Sequence, residues 1–473
     1  MKATSHLKCK KKAGADLKIG ITSSLNLDLT INPDFSQVEV DRQVTNLDRF
    51  ELFFPERRQF FLENGDLFAN FGYASIRPFF SRRIGLGVPI RAGARLSGNL
   101  NKDWRIGLMD MQTASVKETG LPAQNFAVLS LQRRVFSRSN IGFLFVNKQS
   151  MNYASDSLKS VYAPFNRNLG VEFNLGSANN RWTGKMMLLK SFSPGSKSRE
   201  MVTAGHLQYN ARKWSILFQS EYVGKNYNAE VGYVPRNGYF RMNPQFTRYF
   251  FPRRGRVLSH GPQVSSSFYF DDQLNSTDYV NSFYYIVNFR DQSVFKTAFL
   301  QEYIQLTFPF DPTNSGKDTL AKGSEHNMNT WRTEFTSKPQ SVFTYAFITQ
   351  LGGYFADGKR LNIYGELGYR FQPYVSLLGT ASYNRIDLPA PWGLNNFWLI
   401  GSHIDITFSN KVFFSTFYQY NEQLKNMNLN ARFQWRYQPA SDLFIVYTDN
   451  YLPAPFSVRN RAVVLKMTYW WNR

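Results

Sequence analysis

The residues best equipped for chemistry fall in one run, "DRFELFFPERRQFFLENGDLF", at positions 48–68. Three glutamates lie in it, Glu51, Glu56 and Glu63, interleaved with Arg49, Arg57, Arg58 and Asn64. Glycoside-type hydrolysis needs two carboxylates, one as proton donor and one as base or nucleophile. In that use Glu56 and Glu63 are weak catalytic candidates. A second acidic group, Asp34, Glu39 and Asp41 in "NPDFSQVEVD", offers hard oxygen ligands of the kind Ca²⁺ takes. Its spacing matches no EF-hand loop. The plainer reading is a turn at Asn32-Pro33 leading into a short strand over 37–41. Other catalytic signatures are missing: there is no G-x-S-x-G elbow, H-E-x-x-H pair or Gly-rich phosphate loop. The five histidines (His6, His206, His260, His326, His403) are scattered, and Cys9 is the single cysteine. That excludes an internal disulfide and a Cys-based metal site, and no cofactor is implied.

The elements that must carry these residues are strands. Aromatic residues make up 16% of the chain, yet mean hydropathy is −0.38. Such a balance suits sheets with aromatics on one face and polar groups on the other. Apolar residues recur at every second position over 19–31, 90–100, 169–175, 363–371, 398–408 and 427–437. A helix would scatter them around its circumference, whereas a strand collects them on one face. The candidate strands run to about 9–13 residues, beyond the typical ~5–6 of globular proteins. They pair through short turns, "GNLNKD", "FSRSN", "SANNR", "FSNK" and "QPASD", with longer polar connections at 150–165, 222–239, 310–329 and 385–395. Short turns alternating with long loops describe an outer-membrane barrel. The chain therefore reads as all-β, a large antiparallel transmembrane barrel of roughly 18–22 strands. No run approaches the ~18 apolar residues of a membrane-spanning helix. The last strand alternates Val463, Leu465, Met467, Tyr469 and Trp471, a pattern like the C-terminal signal read by the barrel-assembly machinery.

Net charge is +22, from 56 Lys+Arg against 34 Asp+Glu. The arginines fall on alternate strand positions rather than in a block. This reads as a basic lumen and basic loops facing anionic lipid, with no nucleic-acid partner. Residues 1–16 have positive charge but no apolar core, so they are not a signal peptide. They read as a disordered leader or truncation remnant, ahead of a barrel over 17–473.

Alternation stops over 33–84. Pro55 suits a helix N1 position and Gly65 a helix C′ position, which predicts a helix over 55–63. Its charges bar it from lipid at membrane depth. Three uses stay open: an acid/base centre, an aromatic cluster on the membrane surface, or a plug. A wide lumen favours the third, with residues 42–84 as plug and Arg49, Glu51, Glu56, Arg57, Arg58, Glu63 and Asn64 facing ligand or lumen.

The run "LTINPDFSQVEVDRQVTNLDRFELFFPERRQFFLENGDLF", with "RPFFSRRIGLG" after it, resembles a Bacteroidota outer-membrane barrel family, domain of unknown function 5916. The resemblance is specific around 17–87 and looser beyond. It implies a barrel placed behind a signal peptide and a family 9-like carbohydrate-binding domain, and this chain begins almost at the barrel. It supplies no catalytic residues. The expected function is passage or reception of a polar ligand, a saccharide among the candidates, in contact with outer-membrane lipid. The alternatives are a barrel-associated hydrolase of glycans or lipids and a soluble all-β carbohydrate-binding protein. The latter should show short blade-like repeats, and none is visible.

Overall fold

The computed structural model describes residues 13–33, 35, 41–195, 198–316, 318–453 and 456–471. Among the described residues it is all-β, with 23 strands against the roughly 18–22 expected of a closed even-numbered barrel. The chain divides into two compact units: residues 1–35, 55–205 and 222–238, and residues 36–54, 206–221 and 239–473.

The first unit opens with β1 (Ala15–Thr22), β2 (Leu25–Ile31), β3 (Ile90–Asn99) and β4 (Trp104–Thr113). It continues through β5 (Ala123–Val135), β6 (Ser139–Met151), β7 (Phe165–Gly176) and β8 (Trp182–Phe192). Each pairs antiparallel with the next. Next come β9 (Met201–Asn210) and β10 (Trp214–Val223), which pair with each other.

The second unit's sheet runs through β11 (Tyr239–Arg248), β12 (Val257–Phe270), β13 (Ser276–Phe289), β14 (Val294–Gln305), β15 (Glu325–Thr336) and β16 (Phe343–Gly353). It ends with β17 (Lys359–Phe371), β18 (Val375–Asp387), β19 (Leu394–Thr407), β20 (Val412–Asn421), β21 (Asn426–Gln438), β22 (Ser441–Pro453) and β23 (Phe456–Met467). These too pair antiparallel in sequence order.

All five short turns read from the sequence connect neighbouring strands as expected. In "SANNR" Asn180 takes a left-handed conformation, φ 58, which its short polar side chain tolerates. Two expectations fail locally. The alternation over 19–31 is not one strand but a hairpin, β1 and β2, folded at Ser23-Ser24. The turn preserves parity, so Leu17, Ile19, Leu27 and Leu29 still share a face and the sequence pattern hides the reversal. β1 also begins at Ala15, inside the expected leader.

The helix over 55–63 is not there either. Two single-turn helices, α1 (Gln59–Leu62) and α2 (Asp66–Ala69), stand in its place. Arg58 is extended, at φ −75 and ψ 120, because Glu56 folds back onto the main-chain N–H groups of Arg57 and Arg58. Gly65 is right-handed, and Asn64 at φ 48 makes the left-handed turn assigned to it. Among the described residues no helix is long and apolar enough to cross a membrane, which leaves crossing by strands open.

The strand faces are inverted relative to a water-soluble sheet. On β7, Asn168 (1% exposed) and Glu172 (5%) are buried, whereas Leu169 (37%) and Val171 (46%) are exposed. The same holds in the second unit, where Asn384 is buried and Trp331, Ile363, Trp398 and Trp435 are exposed.

Candidate functional site

Residues 55–84 lie on the covered, polar face of the first unit and bring its largest apolar groups with them. Phe61, Leu67, Phe68, Phe71, Ile76, Phe79 and Ile84 are all buried. Two of the rings fit into sockets left by missing side chains. A Cβ on Gly107 of β4 would lie 2.7 Å from the Phe68 ring. One on Gly170 of β7 would lie 2.8 Å from the Phe71 ring, and Gly142 of β6 borders the same socket.

Polar clamps fix the segment between these rings. Glu56 accepts five hydrogen bonds: from Arg57 N–H, Arg58 N–H, Arg58 Nε and Nη2, and the Ser81 hydroxyl at 2.6 Å. Arg58 donates onward to the carbonyls of Ser81 and Ile84 and lies 4.2 Å over the Phe61 ring. Burial alone would raise the Glu56 pKa, but Arg58 and Ser81 outweigh it and hold the carboxyl below the usual carboxylate range. A general acid needs the opposite shift. Glu56 is a structural clamp whose lone pairs are committed.

Glu63 takes part in a second cluster. Arg95 on β3 is 1% exposed and donates to Asp28 on β2 at 2.7 Å and to the carbonyl of Phe60. Lys18 on β1 reaches Glu63, and Arg95 lies 3.7 Å from it. Register explains the meeting, because Lys18, Asp28 and Arg95 are successive cross-strand partners on the polar face. Asn64 donates to Ser97 at 3.0 Å. Further along, Lys185 donates to the carbonyls of Asn70 and Gly72 while Glu172 accepts the Gly72 N–H.

The second unit holds residues 42–54. Arg49 pairs with Asp278 of β13 at 2.7 Å, both largely buried, and lies 5.2 Å over Phe50. Leu47 packs against the cluster of Leu306, Phe310, Tyr354, Phe355 and Phe397. A double-mutant cycle on Arg49→Met and Asp278→Asn is expected to show coupling of about 2 kcal/mol, since this buried pair loses its partner in either single variant. Chemical unfolding in detergent measures it, and additive effects would remove the pair from the segment's anchoring.

The predicted site residues thus separate. Glu56, Arg57 and Arg58 join one clamp, Glu63 another, Asn64 sits beside it, and Arg49 has its own partner. Glu51 is exposed at the end of its run. Of the metal candidates, Asp34 and Glu39 lie outside the described residues, and Asp41 is described. Among the described residues no group of three or more His, Cys, Asp or Glu is placed to hold a metal. A cleft of about 720 Å³ is lined by Asn327, Asn329, Leu351, Tyr354, Arg360 and Arg385.

The segment is also where the chain's family likeness is concentrated. Residues 2–105 match the family model described as Domain of unknown function (DUF5916). No curated protein sequence matches the chain. Among solved structures it is similar to the siderophore receptor PirA from Acinetobacter baumannii, at 10% identity over 80% of this chain and 70% of that one, TM-score 0.40. It is also similar to the ferric-catecholate import receptor Fiu from E. coli K12, at 8% identity over 77% and 68%, TM-score 0.39. At such identities and scores no residue role or ligand carries across.

Sequence reasoning missed Lys18, Asp28, Arg95, Glu172, Lys185 and the socket glycines. The signal existed in part: each ionic residue occupies a polar-parity strand position, where a charge facing a covered surface needs a partner. Only cross-strand register says which partner.

Proposed function

We propose that the chain is an outer-membrane β-barrel that passes or receives a polar ligand, with residues 42–84 as its internal plug. One observation carries the reading: the strands bury Asn, Glu and Arg and expose Leu, Val and Trp. Exposed apolar faces of this extent need lipid, and buried polar faces need a polar interior. Outer-membrane lipid covers the exposed face, and the apolar final strand suits recognition by the barrel-assembly machinery. The amide and aromatic groups of the interior accept a saccharide or another neutral polar ligand.

Two measurements test this. Val171→Arg places a charge on the exposed face and should cost about 2–4 kcal/mol in folding into vesicles if it lies near the bilayer midplane. A near-zero cost would sink the lipid assignment of that face. Deleting residues 46–70 should raise single-channel conductance in planar bilayers, and unchanged conductance would sink the plug.

A further inference from the structure

We propose that the inner face around Gln419 on β20 reads the main chain of an extended peptide, and that residues 42–47 occupy it as a displaceable stand-in. The proposal rests on the receptor reading above and names its ligand class. The Gln419 amide pairs with a single residue in both directions. It accepts the Gln43 N–H at 2.7 Å and donates to the Gln43 carbonyl at 2.9 Å. Asn314 adds a bond to the Asn46 carbonyl at 3.1 Å. All three contacts are to backbone, which every peptide shares.

The side chains of the same stretch fit poorly. Val44 is exposed, and the buried Gln43 Oε1 and Thr45 Oγ1 have no hydrogen-bond partner. Beside them, Asn421 Nδ2, Asn426 Oδ1 and Asn428 Oδ1 are buried without partners as well. Asn428 is the cross-strand partner of Gln419, and Asn426 that of Asn421, so these amides share one face. The patch therefore offers unused donors and acceptors, all neutral. A better-matched extended peptide would satisfy them while keeping the three backbone contacts, since buried polar atoms without partners are costly.

The test uses the full chain refolded in nanodiscs and a capped synthetic hexapeptide copying residues 42–47. The tethered segment competes at high effective concentration in the wild type, so Gln43→Pro, which removes the N–H that Gln419 accepts, should bind the peptide at least about tenfold tighter. N-methylation of the peptide's Gln amide, or Gln419→Leu in the protein, should weaken binding about tenfold. Replacing that peptide residue's side chain with Ala should change it less than about twofold. In the wild type, saturating peptide should also speed tryptic cleavage after Arg42 several-fold, a readout independent of the proline variant's folding. Binding indifferent to N-methylation, or Gln419-dependent binding of maltohexaose where the peptide fails, overturns the proposal. Conductance of the same preparations is scored separately. A conductance rise on deleting residues 46–70 without peptide binding removes only the groove, and peptide binding with no such rise removes only the plug.

Discussion

A Gly107→Val/Gly170→Val double variant is expected to keep its strands and release residues 55–84. Each new side chain begins with a Cβ under 3 Å from a seated ring, Phe68 in one case and Phe71 in the other. Neither ring has room to yield, since both are buried against the sheet. Overpacking costs about 1–3 kcal/mol per site, and expelling the rings forfeits their burial, about 2–3 kcal/mol each. The strands lose less, because both new side chains are β-branched and suit a sheet, although at Gly170 the Cβ also meets the end of the Leu189 side chain on β8 at 2.6 Å, which must turn aside. Heat-modifiable migration should therefore survive, while trypsin gains cuts after Arg58 and Arg83 and conductance rises as expected for the deletion of residues 46–70. A double variant that resists trypsin like the wild type would show that the rings are not what holds the segment.

The second large effect is expected from Glu56→Gln. The substitution keeps the shape of the side chain and removes the charge that faces the Arg58 guanidinium, in a clamp whose two side chains are 11% and 16% exposed. Breaking such a pair costs about 3 kcal/mol, felt as local opening of residues 55–84 and not as global unfolding. Hydrogen exchange over that stretch measures it. The pH dependence follows from the depressed carboxyl. A group whose pKa is lower folded than unfolded contributes fully above the unfolded value, about 4.3 for Glu, and loses that contribution as pH falls through the folded value. Wild type and Glu56→Gln should thus differ most at neutral pH and converge in acid. A gap that widened on acidification would mean that Glu56 is not held as the anion.

The two variants also show where the sequence was legible. Period-two alternation was enough for the all-β class and for five turns, because each strand repeats its own statement about which face is apolar. The β1–β2 turn escaped because two residues were inserted without a change of parity. The predicted helix failed for a local reason: a carboxylate two residues before Arg58 competes for the same N–H groups that a helix would use. Glu56, Arg58 and Glu63 stood out as chemistry because charge and aromatics crowd there. Ser81, which donates to Glu56, and Lys18, which pairs with Glu63, lie 25 and 45 residues away, beyond what spacing reveals. The sockets were invisible for a different cause, since a glycine on a strand carries no sign of what fills the space above it.

Those sockets also fix an order of assembly. Phe71 needs Gly142 on β6 and Gly170 on β7 brought to diagonal positions two residues apart in register, and Phe68 needs Gly107 on β4. None of these cavities exists before the strands are in register, so the rings have nothing to enter until the sheet is built. The segment, although it precedes all three strands in the chain, docks after them. Truncating Phe68 or Phe71 to Ala should accordingly speed release of the segment and leave the rate of strand assembly unchanged.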